Sequence, residues 1–332
     1  MKFHGYSKSG NNPFKPVTSG QSGRRSRSDH IFVYTVHQGK ERAYVKALVA
    51  AGYKAQTIER MHARFALFDL DTNRRSQVLD RLHARNIPVF IYPHAARPMV
   101  QWDGLHSVWP HTRCTFVIAS GHVEVMQRFG YPIPMEIAGW TYCEIKPFEP
   151  VKEVRKILFG PIHPSATGWI ADVDRDLNQR TFKHLMEYSK ESGAKLVIRH
   201  IKALELSGLK RVPGVTYIEG RPDLAIDEID AADVVIGHQT FAYLALARGK
   251  SVLMMGEDIP PRTVVHGAVA YVKSWEKYAD LLTYPLDILA GDTTEMIAKS
   301  CKRNAEVTAW KKKFIGEQFD GSAFVKKLES HL

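Results

Sequence analysis

The sequence predicts an α/β fold made of two Rossmann-like, doubly wound domains in series. Short apolar runs rich in β-branched residues alternate with longer amphipathic stretches, which is typical of parallel sheets covered by helices. The alternation stops near Pro147 and Pro150 and then restarts. The 332 residues, 44% of them hydrophobic, are enough for two cores. We expect an arm over residues 1–29, a first domain over 30–147, a second over 148–315 and a C-terminal helix or tail over 316–332.

In the first half, apolar runs predict the strands and patterns of helical period predict the helices. Gly52 and Gly130 each follow a helical stretch, at the position where glycine adopts positive φ at little cost. Residues 97–112 show no clear period, and long irregular segments in compact domains are usually functional. The strands are predicted over 31–36, 66–70, 89–92 and 115–119, and the helices over 41–51, 74–85 and 123–129.

The second half repeats the pattern after the proline-rich boundary. Gly193 and Gly249 end two of its helical stretches in the same way. Two charged helices are expected to complete the chain. Strands are predicted over 155–160, 195–198, 215–218, 234–236, 252–255 and 268–272, and helices over 177–192, 223–231 and 241–248.

Composition excludes several classes of protein. Cys114, Cys143 and Cys301 lie far apart and include no CxxC pair, so we expect neither a disulfide framework nor a structural zinc site. No apolar run approaches the roughly 18 residues needed to cross a bilayer. The N-terminus also lacks the apolar region of a secretory signal. These observations predict a soluble protein of the reducing cytoplasm.

The net charge of +11 is concentrated at the N-terminus. Residues 1–30 hold six basic side chains against Asp29 and are rich in Gly, Ser and Asn. We expect such a segment to stay flexible until a partner orders it. A basic arm on a basic protein favours a polyanionic partner, with nucleic acid preferred over an anionic membrane surface. A solubilising tail is the alternative interpretation.

Polar residues follow three predicted strands of the second half. In open α/β sheets, ligands bind beyond the carboxyl ends of the strands, where helix N-termini favour anions. Small polar residues bracketed by glycines follow 155–160 and suit phosphate binding. An ordinary loop, structural histidines and a helix N-cap at Thr240 are the alternatives. The candidates are His163, Ser165 and Thr167 after the first strand, Arg199 and His200 after the second, and His238, Gln239 and Thr240 after 234–236.

The order of these elements resembles the C-terminal domain of GT-B glycosyltransferases. Residues 227–255 follow that pattern, with DVVI at 233–236 and GKSV at 249–252, and KLVIRH at 195–200 is similar to the second strand. Residues 114–140 resemble the segment that leads to the interdomain linker. The similarity is strongest to the branch of the CDP-glycerol glycerophosphotransferases and nucleotide-sugar epimerase relatives. It implies two domains facing across a cleft, with a nucleotide diphosphate-sugar donor on the second.

The sequence departs from this family at the donor ribose. Leu244 stands where many relatives have a glutamate, and Gln239-Thr240 replaces the usual Ser-Ser or Ser-Gly before the helix. Thr240 keeps a hydroxyl for phosphate, whereas the missing carboxylate leaves the identity of the donor open. The candidates to replace it are Asp223, Glu257 and Asp258, and Asp258 is counted with the donor-binding residues.

The resemblance also implies that the first domain presents the acceptor hydroxyl and a general base. His37, after the first strand, is the preferred base, and His94 and Asp103 are the other catalytic candidates. Asp69 and Asp71 have DxD spacing but are predicted at a strand-to-helix turn, where aspartate is a routine cap. We therefore expect no metal and no cofactor, the nucleotide sugar being a co-substrate.

The leading interpretation is a metal-independent glycosyltransferase, with a polyanionic acceptor such as phage-type modified DNA. One alternative is a CDP-glycerol-type polyol-phosphate transferase on the same scaffold. Another is a non-catalytic protein that binds nucleotide sugars or nucleic acid, which Leu244 favours. The basic stretch 296–315 is expected to cross back to the first domain with Trp310 as its anchor, or to be a solvated helix face.

Overall fold

The structure is a computed structural model of the chain. Within the residues it describes, the chain forms two parallel sheets connected by helices, together with a separate antiparallel hairpin. The predicted fold class is confirmed. The described residues are 29–34, 42–56, 63–69, 76–93, 111–128, 130–163, 169–201, 203–220, 225–255, 262–265, 268–271 and 283–332.

The first sheet and its helices consist of β1 (His30–Tyr34), α1 (Arg42–Ala50), β2 (Lys54–Gln56), β3 (Ala66–Asp69), α2 (Ser76–Ala84), β4 (Val89–Tyr92), β5 (Thr112–Val117), α3 (Ser120–Arg128) and β6 (Met135–Ile137). The strand order is β2-β1-β3-β4-β5-β6, and the pairing is parallel. Since the order reverses between β1 and β3, their carboxyl ends flank a topological switch point.

The second sheet and its helices consist of β7 (Lys156–Phe159), α4 (Trp169–Ser192), β8 (Lys195–His200), β9 (Thr216–Glu219), α5 (Ala225–Asp230), β10 (Val234–Gly237), α6 (Gln239–Ala247) and β11 (Ser251–Met254). A short 3-10 turn, Leu204–Ser207, follows β8. The strand order is β11-β10-β7-β8-β9, again parallel. The residues of β10 and β11 are buried throughout, which explains their continuous apolar sequences. Here the switch point lies between β7 and β10.

The C-terminal helices divide between the two sheets. They are α7 (Thr293–Ser300), α8 (Ala305–Phe314) and α9 (Gly321–Ser330). The Trp310 ring of α8 packs against Tyr243 and Tyr284 of the second domain, with centroids 5.0 and 5.3 Å away. Helix α9 packs on α1, where the rings of Phe324 and Tyr44 lie 5.2 Å apart. Trp310 therefore anchors α8 to the second core, whereas the end of the same helix contacts α3 of the first domain through Lys313 and Phe314. The stretch 296–315 reaches the first domain as expected, but Trp310 is not the residue that makes the contact.

The two passages of the chain between the sheets are hydrogen-bonded to each other. The N–H of Trp140 donates to the carbonyl of Glu317 at 2.8 Å, and the N–H of Phe319 donates to the carbonyl of Trp140 at 3.1 Å. The Gln318 amide joins the same passages, because its Nε2 donates to Trp140 and its Oε1 accepts from the N–H of Ile145. The fully buried Trp140 also lies in an apolar core that extends into the second domain.

The first passage is then tied to the end of α6. The N–H of Lys146 donates to the carbonyl of Ala247 at 2.7 Å, and the N–H of Glu149 donates to that of Gly249 at 3.1 Å. Gly249 has φ +75°, and a Cβ there would overlap the carbonyl oxygen of Pro147. Both the left-handed backbone and the close approach therefore require glycine at this position.

Several predicted boundaries differ from the structure. Strands β2 and β6 are missing from the sequence-based prediction, because each has three residues and sits at a sheet edge, too short to show a period. Helix α4 begins at Trp169 rather than near Leu177. Asp172 lies in its first turn, where a carboxylate interacts favourably with the free N–H groups.

The C-terminal third also differs. The strand predicted over 268–272 is β13 (Ala268–Tyr271), which pairs antiparallel with β12 (Arg262–Val265) in a hairpin apart from both parallel sheets. Three helices rather than two occupy the described residues 283–332. In the described parts of the chain, every helix is too short or too polar to cross a lipid bilayer.

The contact between α3 and α8 buries His122. Its Nε2 lies 3.1 Å from the carbonyl oxygen of Phe314, and because a carbonyl can only accept, this nitrogen carries the proton. An ion pair of 2.6 Å joins Lys313 to Glu124 on the same two helices. Burial lowers the pKa of His122 from 6.5 to about 4, against a smaller opposing effect of the Phe314 carbonyl.

We predict that His122 makes the protein less stable in mild acid. Between pH 6.5 and 4 the unfolded chain binds a proton at this ring that the folded chain does not. The free energy of unfolding should therefore fall by up to about 3 kcal/mol as the pH decreases over this window. Urea unfolding of His122→Gln should show a flatter dependence on pH. His184→Gln, which changes a half-exposed ring on α4, is the control and should keep the wild-type slope.

Candidate functional site

The candidate site is the switch point of the second sheet. Gly160 follows β7 and Gly237 ends β10, and the N–H of Gly160 donates to the carbonyl of Ile236 at 2.9 Å. Helix α6 begins two residues after Gly237, with His238 in the N-cap position and no cap hydrogen bond from its side chain. Thr240 lies in the first turn of the helix, so the interpretation of Thr240 as the N-cap is wrong. This leaves first-turn N–H groups directed towards the carboxyl edge of the sheet.

The Phe241 ring packs against both glycines of the switch point. A Cβ on Gly160 would lie 2.6 Å from Phe241 Cε1, and one on Gly237 would lie 2.5 Å from Phe241 Cδ1. Real Cβ atoms do not approach a ring this closely, so the ring reaches the backbone of both strand ends only because neither residue has a side chain. Phe241 was not among the residues predicted for the site.

Arg199, near the carboxyl end of β8, is held inside the protein. Its side chain is 2% exposed, and its Nε lies 3.0 Å from Oε2 of Glu228 on α5. Its guanidinium carbon lies 6.0 Å from the centre of the Phe241 ring. A Cβ on Gly220, which follows β9, would come within 2.5 Å of the guanidinium. Arg199 therefore has a protein carboxylate as partner and supports the position of Phe241.

Asn178 of α4 fixes two of the loops at this edge. Its side chain is fully buried, its Oδ1 accepts from the N–H of Ile162 at 2.8 Å, and its Nδ2 donates to the carbonyls of Ile162 and Ser207. One amide therefore holds both the segment after β7 and the turn after β8. A sequence signal was present, because Asn178 shares an apolar helix face with Leu185, and a polar residue there needs internal partners.

Comparison with known proteins identifies the architecture. No protein-family model and no curated protein sequence matches the chain. Among solved structures, CalG4, the calicheamicin glycosyltransferase, superposes with a TM-score of 0.51 at 11% identity, covering 92% of this chain and 99% of CalG4.

The chain has the GT-B fold.

Two further structures are similar at lower scores. MurG of Acinetobacter baumannii gives a TM-score of 0.47 at 13% identity, covering 91% of this chain and 99% of MurG. The glycosyltransferase SnogD of Streptomyces nogalater gives 0.47 at 11% identity, covering 91% of this chain and 98% of SnogD. The similarity to the CDP-glycerol branch stays a prediction.

The GT-B fold brings part of the predicted donor set together. The positions that follow or end β7, β8 and β10 lie on one edge of one sheet, because the three strands are parallel. His163, His238 and Thr240 are half-buried there, whereas Arg199 and His200 are buried. Gln239 is the first residue of α6.

The remaining candidates lie outside the described residues. These are the catalytic candidates His37, His94 and Asp103 and the donor-binding candidates Ser165, Thr167 and Asp258. The further replacements considered for the ribose carboxylate, Asp223 and Glu257, also lie there.

Leu244 is a core residue. It lies on α6, is 8% exposed and belongs to the apolar cluster of the second sheet. A carboxylate at this position would need a polar environment that the cluster does not supply. The described residues contain no group of three or more His, Cys, Asp or Glu side chains placed to hold a metal ion. Independence from metal stays a prediction.

We predict that Arg199 is a structural requirement of the site. Arg199→Met should lower the free energy of unfolding by about 3 kcal/mol, because it leaves Glu228 as an uncompensated, largely buried charge. The double variant Arg199→Met/Glu228→Met should recover much of this loss. Urea denaturation measures both.

The matched control is Arg180→Met, which removes an exposed ion pair with Asp176 on α4 and should cost less than about 1 kcal/mol. An Arg199→Met variant as stable as Arg180→Met would contradict the structural role.

Proposed function

We propose that this protein is a glycosyltransferase that moves a sugar from a nucleotide diphosphate-sugar to an acceptor hydroxyl. The observation that carries the proposal is the switch point between β7 and β10 in a chain with the GT-B fold. Its two glycines let the Phe241 ring of α6 pack directly on both strand ends, and the first turn of α6 supplies N–H groups. Ligands of open α/β sheets bind at such points, and phosphates favour helix N-termini.

In this proposal the donor diphosphate lies against the start of α6. The hydroxyl of Thr240 and the backbone N–H groups hydrogen-bond phosphate oxygens, and His163 and His238 donate from either side. Negative charge increases on the departing diphosphate as the sugar is transferred. Fixed donors and the helix dipole stabilise that charge, which lowers the barrier. No step of this scheme calls for a metal ion.

The other predicted donor-binding residues divide into those that would contact the donor and those that would support the site. Ser165 and Thr167 would add hydroxyl groups to the phosphates, and Asp258 would contact the ribose. Arg199 and His200 are buried, and in this proposal they would not contact the donor but would hold Phe241 and the end of β8 in position. Gln239 contributes the first helical N–H.

The proposed general base belongs to the first domain. His37 follows β1 by three residues, and β1 ends at the switch point of the first sheet. His94 follows β4, which is separated from the switch point by β3. Asp103 comes later in the chain, ten residues or more after the end of β4. The position of β1 favours His37 over the other two.

The acceptor is proposed to be polyanionic, with modified DNA as the example. The support is the net charge of +11 and the basic N-terminal segment. If the acceptor is DNA, we expect the protein to bind duplex DNA with an affinity that falls steeply as the salt concentration increases.

We predict that a nucleoside diphosphate stabilises the protein through Thr240. A ligand at 100 times its dissociation constant raises the free energy of unfolding by about 2.7 kcal/mol, so a panel of diphosphates should reveal the donor base by thermal shift. Thr240→Ala and His238→Ala should each weaken binding about tenfold, because each removes a hydrogen bond to a charged phosphate.

The control variants remove a hydroxyl group and an imidazole ring from α4, at positions outside the proposed donor site. Ser192→Ala removes a hydroxyl at the end of α4, and His184→Ala removes an exposed ring. Both should bind like the wild type. A panel in which no nucleoside diphosphate raises the melting temperature would contradict the proposed donor site.

We predict that His37 acts in chemistry and not in donor binding. His37→Ala should lower kcat by about a hundredfold or more while leaving the affinity for the nucleoside diphosphate unchanged, since a positioned base contributes about that much. The rate at which the nucleoside diphosphate is released during transfer to the acceptor, at saturating donor, measures kcat. Unchanged kcat in His37→Ala, with a loss in His94→Ala, would move the role to His94.

A further inference from the structure

A cavity of 420 Å³ lies beside the interdomain passages, and we call it the linker cavity. Its lining includes Pro147 from the first passage and Gly316 from the second. It also includes Lys250, which precedes β11 and so marks the amino edge of the second sheet. The donor site is at the carboxyl edge, where Gly237 ends β10. One strand length of about 10 Å separates the two edges, so the sites are distinct.

The lining combines positive charge with an apolar wall and contains no carboxylate. The cationic side chains are Lys146, Lys250, Lys302, Arg303, Lys311 and Lys312. The apolar and aromatic side chains are Phe148, Leu246, Val252, Tyr284, Leu286 and Val307. An apolar pocket with a few convergent polar groups, in the range of about 300–1,000 Å³, is typical of a small-molecule site.

Three of the cations are held in place by the protein. The Nζ of Lys250 donates to the carbonyl of Asp230 at 2.7 Å, and the Nζ of Lys311 donates to the carbonyl of Lys146 at 2.7 Å. A carbonyl group is uncharged, so neither hydrogen bond neutralises the positive charge of its lysine. The Nζ of Lys146 lies 3.3 Å from Oδ2 of Asp230. Burial lowers the pKa of Lys311, as expected for an ammonium group that lacks a carboxylate beside it.

The other three cations of the lining come from α8 and from the connection that precedes it. Lys302, Arg303 and Lys312 are exposed, and within the described ranges none of them forms an ion pair. Lys302 and Arg303 lie on the short connection between α7 and α8, whose backbone is fixed by the Asn304 cap. The charge of all three side chains is therefore accessible to an anion from solution.

We propose that the linker cavity binds a small soluble phosphate ester with a flat apolar body. The phosphate contacts the exposed cations Lys302, Arg303 and Lys312, since guanidinium and ammonium groups are the strong partners of phosphate. The apolar body packs against Tyr284, Leu246 and Val252. This site does not depend on glycosyl transfer, because its residues belong to the opposite edge of the sheet.

The test uses 1-naphthyl phosphate as the probe in calorimetric titrations of the full chain. The wild type should bind it, and should bind 1-naphthol and inorganic phosphate at least about tenfold more weakly, because each supplies only half of the contacts. Lys302→Glu/Arg303→Glu should weaken binding of the probe at least about tenfold. Thr308→Trp, which fills the cavity from an exposed position on α8, should do the same without changing the net charge.

The control is Lys46→Glu/Lys326→Glu, which makes the same charge change at exposed positions of α1 and α9. It should bind the probe within twofold of the wild type, and melting curves should show that all variants are folded. The proposal is overturned if the wild type does not bind the probe, or if the two double variants bind it equally. Inorganic phosphate binding as tightly as the probe would also overturn the proposal, because the apolar body of the probe would then contribute nothing to its affinity.

Discussion

The hydrogen-bonded pair of passages between Trp140 and Gln318 is the constraint on which the two-domain structure depends. A single linker would leave one rotatable connection, whereas two adjacent backbone segments joined by the four hydrogen bonds described above restrict each other. Apolar packing reinforces them, because the core of the second sheet includes Ile118 and Val125 of the first domain. The C-terminal helix completes the arrangement by joining the core of the first sheet through Phe324. The first and last described elements of the chain, β1 and α9, thus belong to one domain.

Helix α6 connects this constraint to the candidate donor site. Its N-terminus lies at the switch point, and its C-terminus holds the linker through Arg248, which is 8% exposed and pairs with Asp230. The Arg248 guanidinium also contacts Glu144 in the linker, and together with Lys146 it lowers the pKa of Asp230. Nine residues of helix span about 13 Å, so one rigid element carries the proposed diphosphate site at one end and the interdomain connection at the other.

The positive charge of the chain is used differently at the two edges of the second sheet. At the carboxyl edge, Arg199 is buried and paired with Glu228, so backbone N–H groups and neutral side chains face the proposed phosphates. At the amino edge, Lys302 and Arg303 remain exposed around an apolar cavity. Net charge alone could not distinguish these arrangements, because a paired arginine and an unpaired one contribute equally to the sum.

The sequence by itself determined the two sheets, their parallel character and the strand-end positions of His163, Arg199 and Thr240. It did so because apolar runs and helical periods are local, and because parallel strands place their carboxyl ends on one edge. It missed Phe241 and Asn178, and it chose Trp310 as the residue of α8 that anchors the helix to the first domain. These roles depend on residues far away in the chain. Two glycines 77 positions apart admit one ring, a buried amide joins two loops, and Trp310 packs on Tyr243 while Phe314 meets α3. Only the tertiary structure decides such contacts, since no local pattern records which distant backbone a side chain will meet.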